Sequence, residues 1–97
     1  MFDFNQLYKR NENFVYRKIE KETLLVPIKD NVGDMGCIYN LNEVGAFIWE
    51  NLDGRNSLET IKDNILDEFD TSPEIAIEDL NDFLTQLKEI EAVYQVI

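Results

Sequence analysis

With 97 residues, 44% of them hydrophobic and 11% aromatic, the chain has room for one domain with one modest core and is too apolar to stay disordered. Its formal charge of −11 at pH 7 repels phosphate backbones and anionic lipid and favours basic or neutral partners. No apolar run approaches the ~18 residues of a membrane span. Met1-Phe2-Asp3-Phe4-Asn5 lacks the basic start and apolar core of a signal peptide, and the single cysteine, Cys37, has no disulfide partner within the chain. The expectation is a reduced, cytoplasmic protein with no membrane and no nucleic-acid partner.

The charge is unevenly spread. Residues 1–29 hold Lys9, Arg10, Arg17, Lys18, Lys21 and Lys29 against Asp3, Glu12, Glu20 and Glu22. Beyond them only Arg55, Lys62 and Lys88 offset all the remaining acids.

Residues 1–13 place Phe2, Phe4, Leu7 and Tyr8 among polar groups without a clean period, which predicts an N-terminal arm docking on the domain or on a partner. Residues 14–20 and 23–28 are rich in β-branched and aromatic residues, and Lys21-Glu22 between them predicts a hairpin. Pro27 has no backbone donor and belongs at an edge or a strand end. Residues 29–36, with two glycines and several polar turn formers, predict a loop, and residues 37–41 a third strand.

Three helices follow. The first is capped by Asn42 or by Asn40, the latter with Glu43 in a capping-box spacing; it carries Val44, Phe47, Ile48 and Leu52 on one stripe and stops at Gly54. Asp53-Gly54-Arg55-Asn56 reads as a turn. Ser57 caps the second helix, whose Leu58, Ile61, Ile65, Leu66 and Phe69 share a face. Ser72-Pro73 opens the third, which runs to about Glu91 with Ile77, Leu80, Phe83, Leu84, Leu87 and Ile90 inward. Val93–Ile97 reads as a short final strand. Three N-terminal β-strands followed by three α-helices predict an α+β domain of winged helix-turn-helix type over residues 14–97, preceded by the arm at 1–13.

The inventory for chemistry is thin. Without histidine the commonest general base and metal ligand is missing, and Cys37 has nothing to activate it. No glycine-rich nucleotide loop and no Cys-x-x-Cys is present. The loop Asp30-Asn31-Val32-Gly33-Asp34 fails the calcium-loop pattern at Val32, and the pairs Asp63/Asp67 and Glu74/Glu78 suit a solvated helix face. No catalytic residue, metal or cofactor is expected. A recognition helix for DNA is disfavoured as well, because the third helix would set Glu74, Glu78, Asp79, Asp82, Glu89 and Glu91 against one lysine, Lys88.

One block is more specific. Tyr39-Asn40-Leu41-Asn42-Glu43-Val44-Gly45-Ala46-Phe47-Ile48-Trp49-Glu50-Asn51-Leu52-Asp53-Gly54 resembles the signature of the PqqD-like proteins, the small recognition elements for ribosomally made, post-translationally modified peptides. Thr23-Leu24-Leu25-Val26, Ser57-Leu58-Glu59-Thr60-Ile61 and Asp79–Leu87 extend the resemblance over about residues 14–94. The resemblance implies a non-catalytic chaperone that holds the leader of a precursor peptide and presents it to a modifying enzyme, such as a radical SAM protein or a lasso-type protease–cyclase pair. It implies that the leader adds a strand to Cys37, Ile38, Tyr39, Asn40 and Leu41, facing some of Ile75, Asp79, Asp82, Phe83 and Gln86 on the third helix. Strand addition is physically sound, since an end strand offers backbone donors and acceptors and alternate side-chain pockets. The arm leaves a homodimer open, because Phe2, Phe4 and Tyr8 could fill the groove in cis or in a neighbouring protomer. The alternative is a winged-helix protein–protein adaptor or regulator with no peptide substrate.

Overall fold

The computed structural model describes residues 2–27 and 39–96, and among them strands occur before, between and after the helices. The order is β1 (Leu7–Arg10), β2 (Phe14–Ile19), β3 (Glu22–Pro27), β4 (Tyr39–Leu41), α1 (Glu43–Asn51), β5 (Asp53–Ser57), α2 (Leu58–Glu68), α3 (Pro73–Glu89) and β6 (Val93–Val96). The α+β class and the three helices stand. The expected succession of three N-terminal strands and then three helices does not, because β1 precedes the hairpin and β5 separates α1 from α2; the short final strand expected after the third helix is present as β6.

The strands form two three-stranded antiparallel sheets. In the first, ordered β2-β3-β4, Phe14 pairs with Pro27 and Ile19 with Glu22, so the hairpin turns at Glu20-Lys21, one residue earlier than its composition suggests. Glu20 takes the left-handed conformation there, with φ 55°. Thr23 and Leu25 are buried on one face of β3, and Tyr39, Asn40 and Leu41 pair with Leu25, Leu24 and Thr23. Burial at every second position is the strand period at work.

The second sheet, ordered β5-β1-β6, was not foreseen as a sheet. Its central strand comes from the N-terminal arm: Leu7 pairs with Ser57 on one side and Val96 on the other, with a bulge between Leu7 and Lys9 against β5. The segment read as a turn after α1 is β5. Gly54 sits at φ 81°, two residues past the Leu52 C-cap, and supplies a backbone conformation that side-chain-bearing residues avoid. Asp53 Oδ1 accepts from the Arg55 and Asn56 amides at 2.9 and 3.1 Å. These bonds hold its carboxyl below the usual carboxylate range, the Arg55 amide contributing most.

The helices cover the core. Ile48, Trp49 and Leu52 from α1 and its cap, Leu58, Ile61 and Ile65 from α2, and Leu80, Leu84 and Leu87 from α3 are buried with Leu25, Leu41, Tyr8 and Val93 from the two sheets. The arm supports this packing directly. The carbonyls of Gln6 and Phe4 accept from the Leu58 and Glu59 amides at 3.1 and 2.9 Å, while Ser57 Oγ accepts from Thr60 at 3.1 Å. Donors of the first turn of α2, which have no partner within the helix, are thereby satisfied mostly by a segment distant in sequence. Phe2 stands edge-on to Tyr8 at 5.8 Å between ring centres, and Lys88 Nζ lies 5.4 Å above the Phe2 ring.

At its far end α3 closes with Glu91 in the left-handed conformation at φ 59°. The Ala92 amide donates to Leu87 O at 2.8 Å and the Glu91 amide to Lys88 O at 3.1 Å. This six-to-one and five-to-two pairing is a Schellman motif, with glutamate where glycine is usual. Asn11 fastens it to the sheet, donating from Nδ2 to Glu91 O at 2.7 Å and from its amide to Ala92 O at 2.8 Å.

Candidate functional site: the groove between β4 and α3

β4 is the last strand in the first sheet's order, and the chain turns from it straight into α1. Of the two asparagines, Asn42 makes the cap: its Oδ1 accepts from the Gly45 amide at 2.7 Å. Gly45 has a second reason to be glycine. A Cβ there would meet Asn42 Oδ1 at 3.1 Å and Phe83 Cε1 at 3.3 Å, so its absence lets the start of α1 lie against the Phe83 ring. α3 is set in turn by Ser72 Oγ, which accepts from the Ile75 amide at 3.3 Å, and by Pro73 in its first turn.

Between these elements runs a groove of about 330 Å³. Tyr39, Asn40, Leu41 and Asn42 line one side, Val44, Gly45 and Ile48 of α1 close one part, and Asp79, Asp82, Phe83, Gln86, Leu87 and Ile90 line the α3 side. α3 presents two rows to it. Asp79, Asp82 and Gln86 are exposed, while Phe83, Leu87 and Ile90 are half-buried or buried. Spacings of three and four residues put each row on one helix face. The result is an apolar floor with a polar, acidic rim.

The groove brings together seven of the residues named from the sequence: Tyr39, Asn40, Leu41, Asp79, Asp82, Phe83 and Gln86. Ile75 does not line it; it stands one turn before Asp79, 52% exposed. Cys37 and Ile38 lie outside the described residues. Phe2, Phe4 and Tyr8 do not enter the groove in cis, because all three pack against the core. The contribution of Asn42, Val44, Gly45 and Ile48 was missed. The signal was available: a helix capped one residue after a strand must fold back beside that strand.

Among the lining residues the ionisable side chains are Asp79, Asp82 and Tyr39, a set suited to binding and not to a nucleophile–base relay. The described groups held away from their ordinary pKa lie elsewhere. Burial, aided by Asp3, raises Tyr8, and the bond that the Tyr16 hydroxyl donates to Glu50 Oε1 at 2.9 Å raises Tyr16. Among the described residues no three carboxylates or thiols converge as metal ligands, and no helix is long and apolar enough to cross a membrane. Two further hollows exist, about 440 Å³ beside Phe2 and Lys88 and about 310 Å³ beside Arg10 and Trp49. Neither borders β4; the second touches Phe14 and Tyr16 of β2, at the opposite edge of the first sheet.

Comparison with known proteins places this geometry. The solved structure of TbiB1 in complex with the TbiA(beta) leader peptide superposes with a TM-score of 0.70 at 28% identity, over 88% of this chain and 93% of that one. Lasso peptide synthetase B1 complexed with its leader peptide superposes with a TM-score of 0.72 at 17% identity, over 90% and 96% of the two chains, which is a likeness of fold. No curated protein sequence matches significantly. The family model for coenzyme PQQ synthesis protein D matches residues 22–93, from the first residue of β3 to the first of β6. The chain belongs to the PqqD family.

Proposed function

We propose that this protein is a non-catalytic, cytoplasmic chaperone of peptide modification. It binds the leader of a ribosomally made precursor by strand addition to β4 and presents the precursor to a modifying enzyme, a radical SAM protein or a lasso-type protease–cyclase pair. The observation that carries this reading is the groove itself: an end strand, an apolar floor and a helix wall together suit one extended peptide. Family membership and the likeness to TbiB1, which was solved with a leader peptide, support it.

In this reading Tyr39, Asn40 and Leu41 supply the backbone ladder, and Asp79, Asp82, Phe83 and Gln86 face the bound chain. Ile75 continues the Asp79–Asp82–Gln86 row beyond the groove and meets a longer leader there. Residues 14–97 form the peptide-binding domain, with β1 of the 1–13 arm bracing it. The hairpin β2–β3 and the pair α2–α3 correspond to the wing and helices of a winged helix-turn-helix turned to peptide binding.

The test is titration of isotopically labelled protein with the precursor peptide encoded beside its gene. The amide signals of residues 39–41 and the Phe83 ring signals are expected to shift, with slowed hydrogen exchange along β4. Binding that leaves residues 39–41 unmoved sinks strand addition, and absence of any binding favours an adaptor without a peptide substrate.

A further inference from the structure

The α3 side of the groove carries charge of one sign. Asp79 and Asp82 line it, no lysine or arginine does, and among the described residues neither carboxylate has an ion-pair or hydrogen-bond partner. The described cations nearest in sequence are committed elsewhere: Lys88 lies over Phe2, and Lys62 pairs with Glu59 and Asp63. The exposed acidic row stands directly beside the half-buried Phe83, whose ring edges the floor with Leu41 and Leu87. One helical turn therefore offers an apolar seat and, next to it, two carboxylates still able to take donors.

We infer that Asp79 and Asp82 are specificity residues that select a lysine or arginine in the bound peptide, within two positions of the apolar side chain seated against Phe83 and Leu87. This rests on the peptide-binding reading above. The spacing follows from the two periods. Consecutive same-side residues of an extended peptide are about 6.6 Å apart, and positions one turn apart on a helix, such as Asp79 and Phe83, are about 5.4 Å apart along its axis, so an apolar anchor and a basic neighbour can reach one of each. A basic side chain lays its methylenes along the apolar row while its charge reaches the rim. An acidic residue at that position meets two like charges and is excluded.

The experiment uses a displayed library of random dodecapeptides selected on the full chain, followed by titration of the best synthetic peptide from it. Enriched peptides are expected to carry lysine or arginine at a fixed offset from an apolar residue and to shift the amides of residues 39–41. Asp79→Asn with Asp82→Asn is expected to weaken that peptide roughly three- to thirtyfold at low salt, the range for two partly exposed ion pairs, with the effect shrinking as salt rises. Asp67→Asn with Glu68→Gln, exposed on α2 and outside the groove, removes the same charge and is expected to change little. Peptides that shift residues 39–41 without a basic residue, or that bind the Asp79/Asp82 variant equally well, overturn the specificity assignment and leave peptide binding standing. If no selected peptide shifts residues 39–41, both readings fall.

Discussion

Phe83 and Leu84 are neighbours on one helix, and their substitution separates groove from core. Leu84 is fully buried in the core, so Leu84→Ala leaves a cavity and costs about 2.7–5 kcal/mol of stability. Phe83 is only half-buried, lines the groove and touches the place where Gly45 lacks a Cβ. Phe83→Ala removes a ring that is partly wet but more buried than exposed, about two-thirds or more of the ~3–5 kcal/mol of a fully buried Phe→Ala, hence roughly 2–4 kcal/mol. Its effect on a bound peptide is expected to exceed that of Leu84→Ala. Loss of one apolar wall, about 1–2 kcal/mol, is roughly five- to thirtyfold in affinity. Urea unfolding followed by Trp49 fluorescence measures the first quantity, and titration of a groove-binding peptide well below the melting temperature measures the second. Out of a total stability of about 5–15 kcal/mol Phe83→Ala stays folded, whereas Leu84→Ala at its upper cost unfolds a domain at the low end of that range, so its binding is corrected for the folded fraction read from the urea curve. The reasoning fails if the order reverses, with Phe83→Ala the more destabilising change and Leu84→Ala the one that weakens binding.

Glu91→Gly relieves a left-handed glutamate at the α3 Schellman turn and is expected to be neutral to stabilising by about 1 kcal/mol, the relief being partly offset by greater freedom in the unfolded chain; a clear fall in the unfolding midpoint contradicts this. Arg10 brings Nη1 within 3.5 Å of the Trp49 and Glu50 carbonyls, at an α1 C-terminus that has no basic residue of its own. Arg10→Ala is therefore expected to cost about 0.3–1 kcal/mol, less at high salt, and a salt-independent loss points instead to packing. Tyr8 is held above its ordinary pKa by burial and by Asp3, so the folded state keeps its proton longer than the unfolded chain does. Its contribution is complete below the unfolded value of 10.0 and fades as pH climbs through the folded one. Asp3→Asn lowers the folded value towards the unfolded one, so the fade should be smaller and finish at lower pH, and Tyr8→Phe should remove Tyr8's part of it; alkaline unfolding curves that coincide for all three proteins count against the assignment.

Much of the helical half was legible because its signals are local. Ser57 and Ser72 with Pro73 cap the helices they announce, and the apolar stripes of α2 and α3 become the buried faces. Asn42 and Asn40 were equivalent on spacing alone, and only the hydrogen bond to Gly45 separates them. β1 and β5 were illegible for the opposite reason. Each is defined by its partner, Leu7 by Ser57 and Val96, and four or five residues such as Asp53-Gly54-Arg55-Asn56-Ser57 carry turn chemistry whichever way they pair. Gly54 illustrates the point: the positive φ that glycine permits was foreseen, but it serves a strand after the helix and not the helix end. For the groove, the α3 face could be named from the family's pattern, whereas the part taken by α1 depends on how closely Gly45 approaches Phe83, a tertiary distance no spacing encodes.

The place of β1 between β5 and β6 has a consequence for biosynthesis. β1 must wait for a strand more than eighty residues later in the chain, so the second sheet cannot be completed until Val93–Val96 has left the ribosome. The β2–β3 hairpin, built from neighbours in sequence, can form early, whereas Tyr8 finds its shelter only once β6 has emerged. Nascent chains stalled short of residue 93 should therefore keep the Leu7–Arg10 segment open to proteases, and emergence of Val93–Val96 should protect it.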